Sequence, residues 1–245
     1  MNAPQIVRPD WPAPDSVQAV CTTRQGGASQ PPFASLNLGT NTGDDPAAVT
    51  ANRQRLENLL GLPSSPSWLN QQHGDMVVRL DQPSAGSLAD AAVTGKPEIV
   101  LAVLTADCLP VLVCDRSGTQ VAAIHAGWRG LAAGILPAAL SCLPPVPDLI
   151  AWLGPAIGRN AYEVGLDVRQ AITAAIPGSE EYFHPCSADH WLADLPGVAR
   201  AQLAAMGVGE ILGGSVCTYS DEENWFSHRR DGRTGRMATL IWLDA

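Results

Sequence analysis

Three side chains in this 245-residue sequence have the types and spacing to do chemistry together: His73 in LNQQHGD, Cys108 in LTADCLPV and His125 in AIHAGWRG. Cys108 follows His73 by 35 residues and precedes His125 by 17. As ligands they suit zinc, which takes Cys and His and, with three protein donors, keeps a fourth position open for catalysis. Water at such a site ionises near neutral pH and can attack an electrophilic carbon. Asp107, next to the thiol, would then be a general base or would orient a ligand imidazole. The same residues also make a metal-free thiol hydrolase or deamidase, with Cys108 as nucleophile and His125 or His73 as its base. Copper is a third reading, because two imidazoles and a thiolate form the blue-copper donor set. A complete multicopper oxidase would need more histidines than the remaining His184, His190 and His228. A buried cysteine with two hydrogen-bonded core histidines is the plain structural alternative.

The elements that must position these residues are legible around them. Three dense apolar runs, residues 99–104, 109–114 and 121–124, are too continuous for half-solvated strands and too short for separate helices. They read as central strands covered on both faces. The first ends in Thr105-Ala106-Asp107-Cys108 and the third in His125-Ala126-Gly127-Trp128. Short strands over 67–70 and 76–80 flank Gln71-Gln72-His73-Gly74 and put His73 at a strand end or tight turn. A strand is expected over 16–24, then a long polar loop over 28–45. That loop ends in a well-specified helix start, with Asp45 as N-cap, Pro46 at the first helical position and Gly61 as stop. Residues 128–143 read as a helix that Pro137 kinks or shortens, residues 149–154 as another buried strand, and 166–176 and 198–206 as helices. The final strands are 210–218 and 237–243, joined by the Arg-rich SHRRDGRTGR. FHPCSADHW, which carries His184, Cys186 and His190, reads as a solvated loop. Strands and helices mix without a strict βαβ rhythm, so the fold class is α/β or α+β with a mixed sheet, in one domain spanning 1–245.

Composition narrows the partners. With 24 acidic residues against 15 basic ones and a sequence pI near 4.9, the chain lacks the clustered positive excess of a nucleic-acid-binding surface. Its six cysteines contain no C-x-x-C pair and read as reduced thiols. No signal-peptide core and no run long enough to span a bilayer is seen, so a cytoplasmic protein without membrane contact is expected, as monomer or homodimer. The one basic cluster, Arg229, Arg230, Arg233 and Arg236, suits a phosphate-sized anion or surface salt bridges. Arg129 begins a helix beside the site.

LNQQHGD, LTADCLPV, AIHAGWRGL, GPAIG with YEVG close behind, and SHRRDGRTGRMATLIWL together resemble the polyphenol oxidase or "laccase domain" family, also described as YfiH-type purine nucleoside phosphorylases. The resemblance runs from about Cys21 to the C-terminus in motif order. It implies a four-layer α+β fold with mixed sheets, like that of the cytotoxic necrotizing factor deamidases. It implies zinc, with copper as the competing metal, held by His73, Cys108 and His125. The implied reaction is phosphorolysis of adenosine, inosine and methylthioadenosine to the base and a ribose 1-phosphate, with adenosine deamination at the same site. Asp107, Cys108 and His125 are the candidate catalytic group, and Ser35, Asn37, Arg129, Arg229 and Arg230 the candidates for holding nucleoside or phosphate. The chain departs from the pattern at Arg159-Asn160-Ala161, where many members have Pro-Cys-Cys, and at His228, where many have Tyr.

Overall fold

A computed structural model of the chain describes residues 3–145 and 148–245; residues 1, 2, 146 and 147 of the expected span lie outside them. Two sheets lie face to face. The five-stranded sheet runs in the order β1 (Ile6–Val7), β2 (Val17–Thr22), β14 (Met237–Leu243), β6 (Leu101–Thr105) and β3 (Ser67–Trp68). The six-stranded sheet runs β13 (Glu210–Gly213), β9 (Leu149–Leu153), β7 (Leu109–Asp115), β8 (Val121–Ala126), β5 (Ala91–Thr94) and β4 (Val77–Arg79). A small exposed sheet joins β10 (Glu163–Gly165), β12 (His190–Ala193) and β11 (Phe183–Ser187). Pairing is mixed: β3 is parallel to β6, β4 to β5 and β13 to β9, and the other ladders are antiparallel.

The three buried apolar clusters give four layers. Helix α1 (Pro46–Leu60) buries Leu56 against Trp68, Ala102, Leu240 and Trp242 on the outer face of the five-stranded sheet. The inner faces of the two large sheets meet through Leu101, Val103 and Ile241 on one side and Leu112, Ala123 and Trp152 on the other. Helices α2 (Trp128–Ala133), α3 (Ile135–Leu140), α4 (Leu166–Ala175) and α5 (Leu195–Ala205) cover the far face of the six-stranded sheet, packing Leu131, Ile135, Ile172 and Val198 on Val111, Ile124 and Leu153. Strands buried on both sides cannot alternate apolar and polar residues, which explains the continuous runs at β6, β7 and β8. The fold is therefore the mixed α+β arrangement expected.

Local chemistry sets the element ends. Asp45 accepts a hydrogen bond from Ala47 N, Pro46 opens α1, and Gly61 closes it at φ 58°. Pro137 does not break the helix after Trp128. The break falls at Gly134, whose φ of 96° ends α2 and starts α3, and Pro137 sits in the first turn of α3, where its missing N–H leaves no bond unmade. The segment holding His184, Cys186 and His190 forms β11 and β12 instead of a loop; its side chains are mostly exposed, so no buried face marked it in the sequence. Strand β5 was likewise not foreseen, and the strand expected over 210–218 stops at Gly213. In the Arg-rich connection, α6 (His228–Asp231) forms one short turn capped by Ser227, which accepts from Arg230 N.

Candidate metal centre

Two of the three key residues sit where the chain crosses between the large sheets. Cys108 lies between β6 and β7, and His73 between β3 and β4. His125 is the penultimate residue of β8. Antiparallel pairing of β7 with β8 matches Leu109 to Ala126 and Pro110 to His125, so the next position brings Cys108 opposite Gly127. A Cβ on Gly127 would stand 3.0 Å from Cys108 Sγ and 3.4 Å from His73 Cδ2, so the glycine provides the space that the thiol and the imidazole occupy.

His73 is fixed from its backbone. The Gln71 side chain imitates a neighbouring strand: its Nε2 donates to Leu104 O (2.9 Å) and its Oε1 accepts from Leu104 N (2.8 Å). His73 itself takes the left-handed conformation, φ 60°, uncommon for a residue with a side chain. Asp90 holds it there. This wholly buried carboxylate accepts the backbone N–H groups of Gln72 (3.0 Å), His73 (2.9 Å) and Gly74 (2.8 Å), and its Oδ1 also accepts from His125 Nδ1 at 2.8 Å.

With Nδ1 donating to Asp90, His125 has Nε2 left for a metal, the usual carboxylate–histidine–metal arrangement. One donor atom from each of His73, Cys108 and His125 lies within 4.8 Å of the others, and this is the one such group of His, Cys and acidic side chains among the described residues. The imidazole rings meet edge to face, centroids 4.7 Å apart. The donor set, its convergence and the buried carboxylate behind it fit a transition-metal ion.

Electrostatics bind the group together. Burial pushes the Cys108 thiol up, but His125 and His73 outweigh it and bring the thiol from 9.0 down to about 6. Burial pushes His125 down, and the thiolate and Asp90 outweigh that and raise it to about 9. Without metal, each partner favours the charged form of the other, thiolate beside imidazolium.

Two cavities meet at this centre. The larger, about 580 Å³, is bounded by His73, Cys108 and His125 together with Arg53, Trp68 and Arg236. The smaller, about 270 Å³, adds Asp107, Trp128, Arg129, Tyr162 and Arg229 to His73 and Cys108. His228 borders both. The guanidinium of Arg129 stacks on Trp128 at 4.3 Å and that of Arg229 on Tyr162 at 5.2 Å.

Several candidates are engaged by protein partners. Asp107 does not orient an imidazole, a role Asp90 fills. Its carboxylate accepts from Thr218 Oγ1 (2.6 Å) and from the backbone N of Arg229 (2.7 Å), tying the cysteine turn, at φ 87°, to α6. Ser35 donates to Arg24 O and accepts from Gly27 N, and buried Asn37 bonds Gly39, Thr42, Asp44 and Arg236 N; both shape the loop and line neither cavity. Arg230 also lines neither, because its guanidinium is taken up by the carbonyls of Thr218, Tyr219 and Trp225 and by Asp231. Asp90 and Arg53 had not been singled out as site residues, and of the basic cluster expected to hold an anion Arg236 lines the larger cavity and Arg229 the smaller.

A face-to-face pair of mixed sheets with a His, Cys and His group at their crossing defines a class. The chain belongs to the multi-copper polyphenol oxidoreductase laccase family, whose pattern it matches over residues 18–244. It is 52% identical over 245 residues to a purine nucleoside phosphorylase of Pseudomonas aeruginosa, with 99% of each chain covered. It is 50% identical over 241 residues to the purine nucleoside phosphorylase YfiH of Escherichia coli, covering 98% of this chain and 99% of that one. Among solved structures, a Neisseria meningitidis protein superposes with a TM-score of 0.93 at 46% identity, over 98% of this chain and 99% of that one. YlmD of Geobacillus stearothermophilus gives 0.91 at 32% identity, over 100% and 98%. No helix among the described residues is long and apolar enough to cross a membrane.

Proposed function

We propose that this chain is a zinc-dependent purine nucleoside phosphorylase acting on adenosine, inosine and methylthioadenosine, and that it deaminates adenosine at the same site. The observation that carries this is the His73, Cys108 and His125 group, backed by Asp90 and set where two cavities meet. The names of relatives that match the chain from end to end support the phosphorylase assignment.

In phosphorolysis a phosphate oxygen forms a bond to C1′ of the ribose, the bond from C1′ to the purine nitrogen breaks, and the electron pair leaves with the base, which takes up a proton. In deamination, water adds at C6 and ammonia departs. Zinc held by His73, Cys108 and His125 would supply Lewis acidity and make water a nucleophile near neutral pH. The protein supplies the rest. Trp128 and Tyr162 give flat apolar walls to a purine, and Arg129 and Arg229 sit over those rings. His228, on the shared wall, is the titratable group outside the trio that can exchange a proton with a substrate reaching into either cavity. Copper competes for the same ligands and would bind tightly.

The assay is direct. Zinc-loaded protein with adenosine and phosphate should release adenine and ribose 1-phosphate, and Cys108→Ala should lose both turnover and zinc; turnover persisting in metal-free Cys108→Ala protein would overturn the proposal. A second reading, a metal-free thiol hydrolase or deamidase, is favoured by the Cys108 thiol at about 6 next to His125. It requires activity indifferent to chelators and abolished by alkylating Cys108.

A further inference from the structure

We infer that Arg53 and Arg236 form the seat for inorganic phosphate in the larger cavity, whose lining includes neither Arg129 nor Arg229. The inference rests on the phosphorylase reading for the identity of the anion, and on the following geometry for its place.

Both residues are half-buried, and both meet one short stretch of backbone, Leu38-Gly39. Arg53 Nε and Nη2 donate to Leu38 O at 3.0 and 2.8 Å. Leu38 N in turn donates to Arg236 O at 3.1 Å, and the Arg236 side chain crosses Gly39 so closely that a Cβ there would stand 2.8 Å from its Cγ. Arg53 also lies over the Trp68 ring at 4.1 Å. Arg236 Nη1 is used on its own neighbours, Thr234 O and Gly235 O. Arg53 Nη1 and Arg236 Nε and Nη2 then have no protein acceptor among the described residues.

Charge points the same way. The chain carries a formal net charge of −9, yet neither Arg53 nor Arg236 is in an ion pair among the described residues, and no Asp or Glu among them lines this cavity. The carboxylates that act on them, Glu57 on Arg53 and Asp107 on Arg236, do so from beyond ion-pair distance, so the free donors of these half-buried cations are left for an anion in the cavity to complete. Two such groups lining one cavity offer the forked donors that suit phosphate oxygens. The smaller cavity differs: the Asp107 carboxylate lines it, and its arginines are exposed and stacked on rings. A phosphate dianion would face that carboxylate there, whereas a purine gains from the aromatic walls. The seat leaves Arg129 and Arg229 to the nucleoside.

The test is equilibrium titration of the zinc-loaded protein with inorganic phosphate, without nucleoside, by calorimetry. Affinity should fall at least about tenfold in Arg236→Gln and in Arg53→Gln, since a hydrogen bond to a charged group is lost. Arg236→Lys, which keeps the charge and loses the fork, should fall between, and Arg229→Gln should bind phosphate as the unaltered protein does. Zinc content and thermal midpoint are measured on each variant, and the Lys variants carry the test if a Gln variant fails to fold. Equal phosphate affinity in folded Arg236→Gln and Arg53→Gln, or a loss confined to Arg229→Gln, overturns the seat. Adenosine 5′-monophosphate bound more than tenfold tighter than adenosine in an Arg236-dependent way overturns inorganic phosphate as the occupant. Arg236-dependent phosphate binding without turnover of any nucleoside supports the seat and removes the phosphorylase reading. Turnover with an unchanged KM for phosphate in Arg236→Gln does the reverse.

Discussion

Asp90 and His125 are joined twice: the Asp90 carboxylate accepts from His125 Nδ1 at 2.8 Å, and the Asp90 carbonyl accepts from His125 N at 2.7 Å. One residue thereby fixes the ring orientation of His125 and the strand that carries it. The same carboxylate gathers the turn of His73, so both imidazoles are set by a single buried anion.

Asp90→Asn should therefore lower metal affinity or kcat/KM by about 10–100-fold, the usual cost of removing the carboxylate behind a ligand histidine. Zinc content and adenosine turnover measured on the same preparation check it. Full retention of both would show that His125 needs no orienting partner.

The folded state of Asp90 also predicts acid lability. Burial pushes its carboxyl up, but the hydrogen bond to His125 and those from Gly74 and Gln72 outweigh burial and hold it below the ordinary 3.8. A carboxyl depressed on folding contributes stability above its unfolded pKa and loses it as pH falls through the folded value. Thermal midpoints measured from pH 5 downward should drop more steeply for the unaltered protein than for Asp90→Asn.

Cys108 should be alkylated by iodoacetamide in chelator-treated protein with a rate that rises around pH 6, where its thiolate forms. Zinc should protect it. A rate that rises only near pH 9 would mean that the two imidazoles do not stabilise the thiolate.

Gly127→Ala places a methyl group 3.0 Å from Cys108 Sγ. Crowding of this kind costs about 1–3 kcal/mol, so the thermal midpoint of the metal-free protein should fall, and displacement of the thiol should weaken metal binding in a chelator competition.

His228→Phe keeps a flat ring on the wall common to both cavities and removes the titratable nitrogen and its bond to Gly232 O. The expected result is a lower kcat with little change in the KM for nucleoside. An unchanged kcat would exclude His228 from proton transfer.

Much of the scaffold could be read locally, because its signals are local. Asp45, Pro46 and Gly61 mark α1 by capping chemistry, and the runs at β6, β7 and β8 mark strands covered on both faces. The types of His73, Cys108 and His125 suggested their association before any fold was known. Asp90 was invisible for the opposite reason: an aspartate before Ala91-Ala92-Val93 is an ordinary strand-edge residue until β5 pairs with β8 and brings it beneath His125. Arg53 and Arg236 lie far apart in sequence, on α1 and before β14, and only the packing of the loop at Leu38 joins them. Ser35, Asn37 and Arg230 are polar side chains that knit loops, and in sequence such residues have the same composition as those that line a site.

The crossing positions of His73 and Cys108 carry a further consequence. Each hangs between a strand of the five-stranded sheet and one of the six-stranded sheet, while His125 belongs to the latter alone. An ion gripped by all three would act as a rivet through both sheets, and its grip would register any slip of one sheet over the other. Enlarging Ala123, in the layer between the sheets, should therefore loosen the ion without touching a residue that holds it.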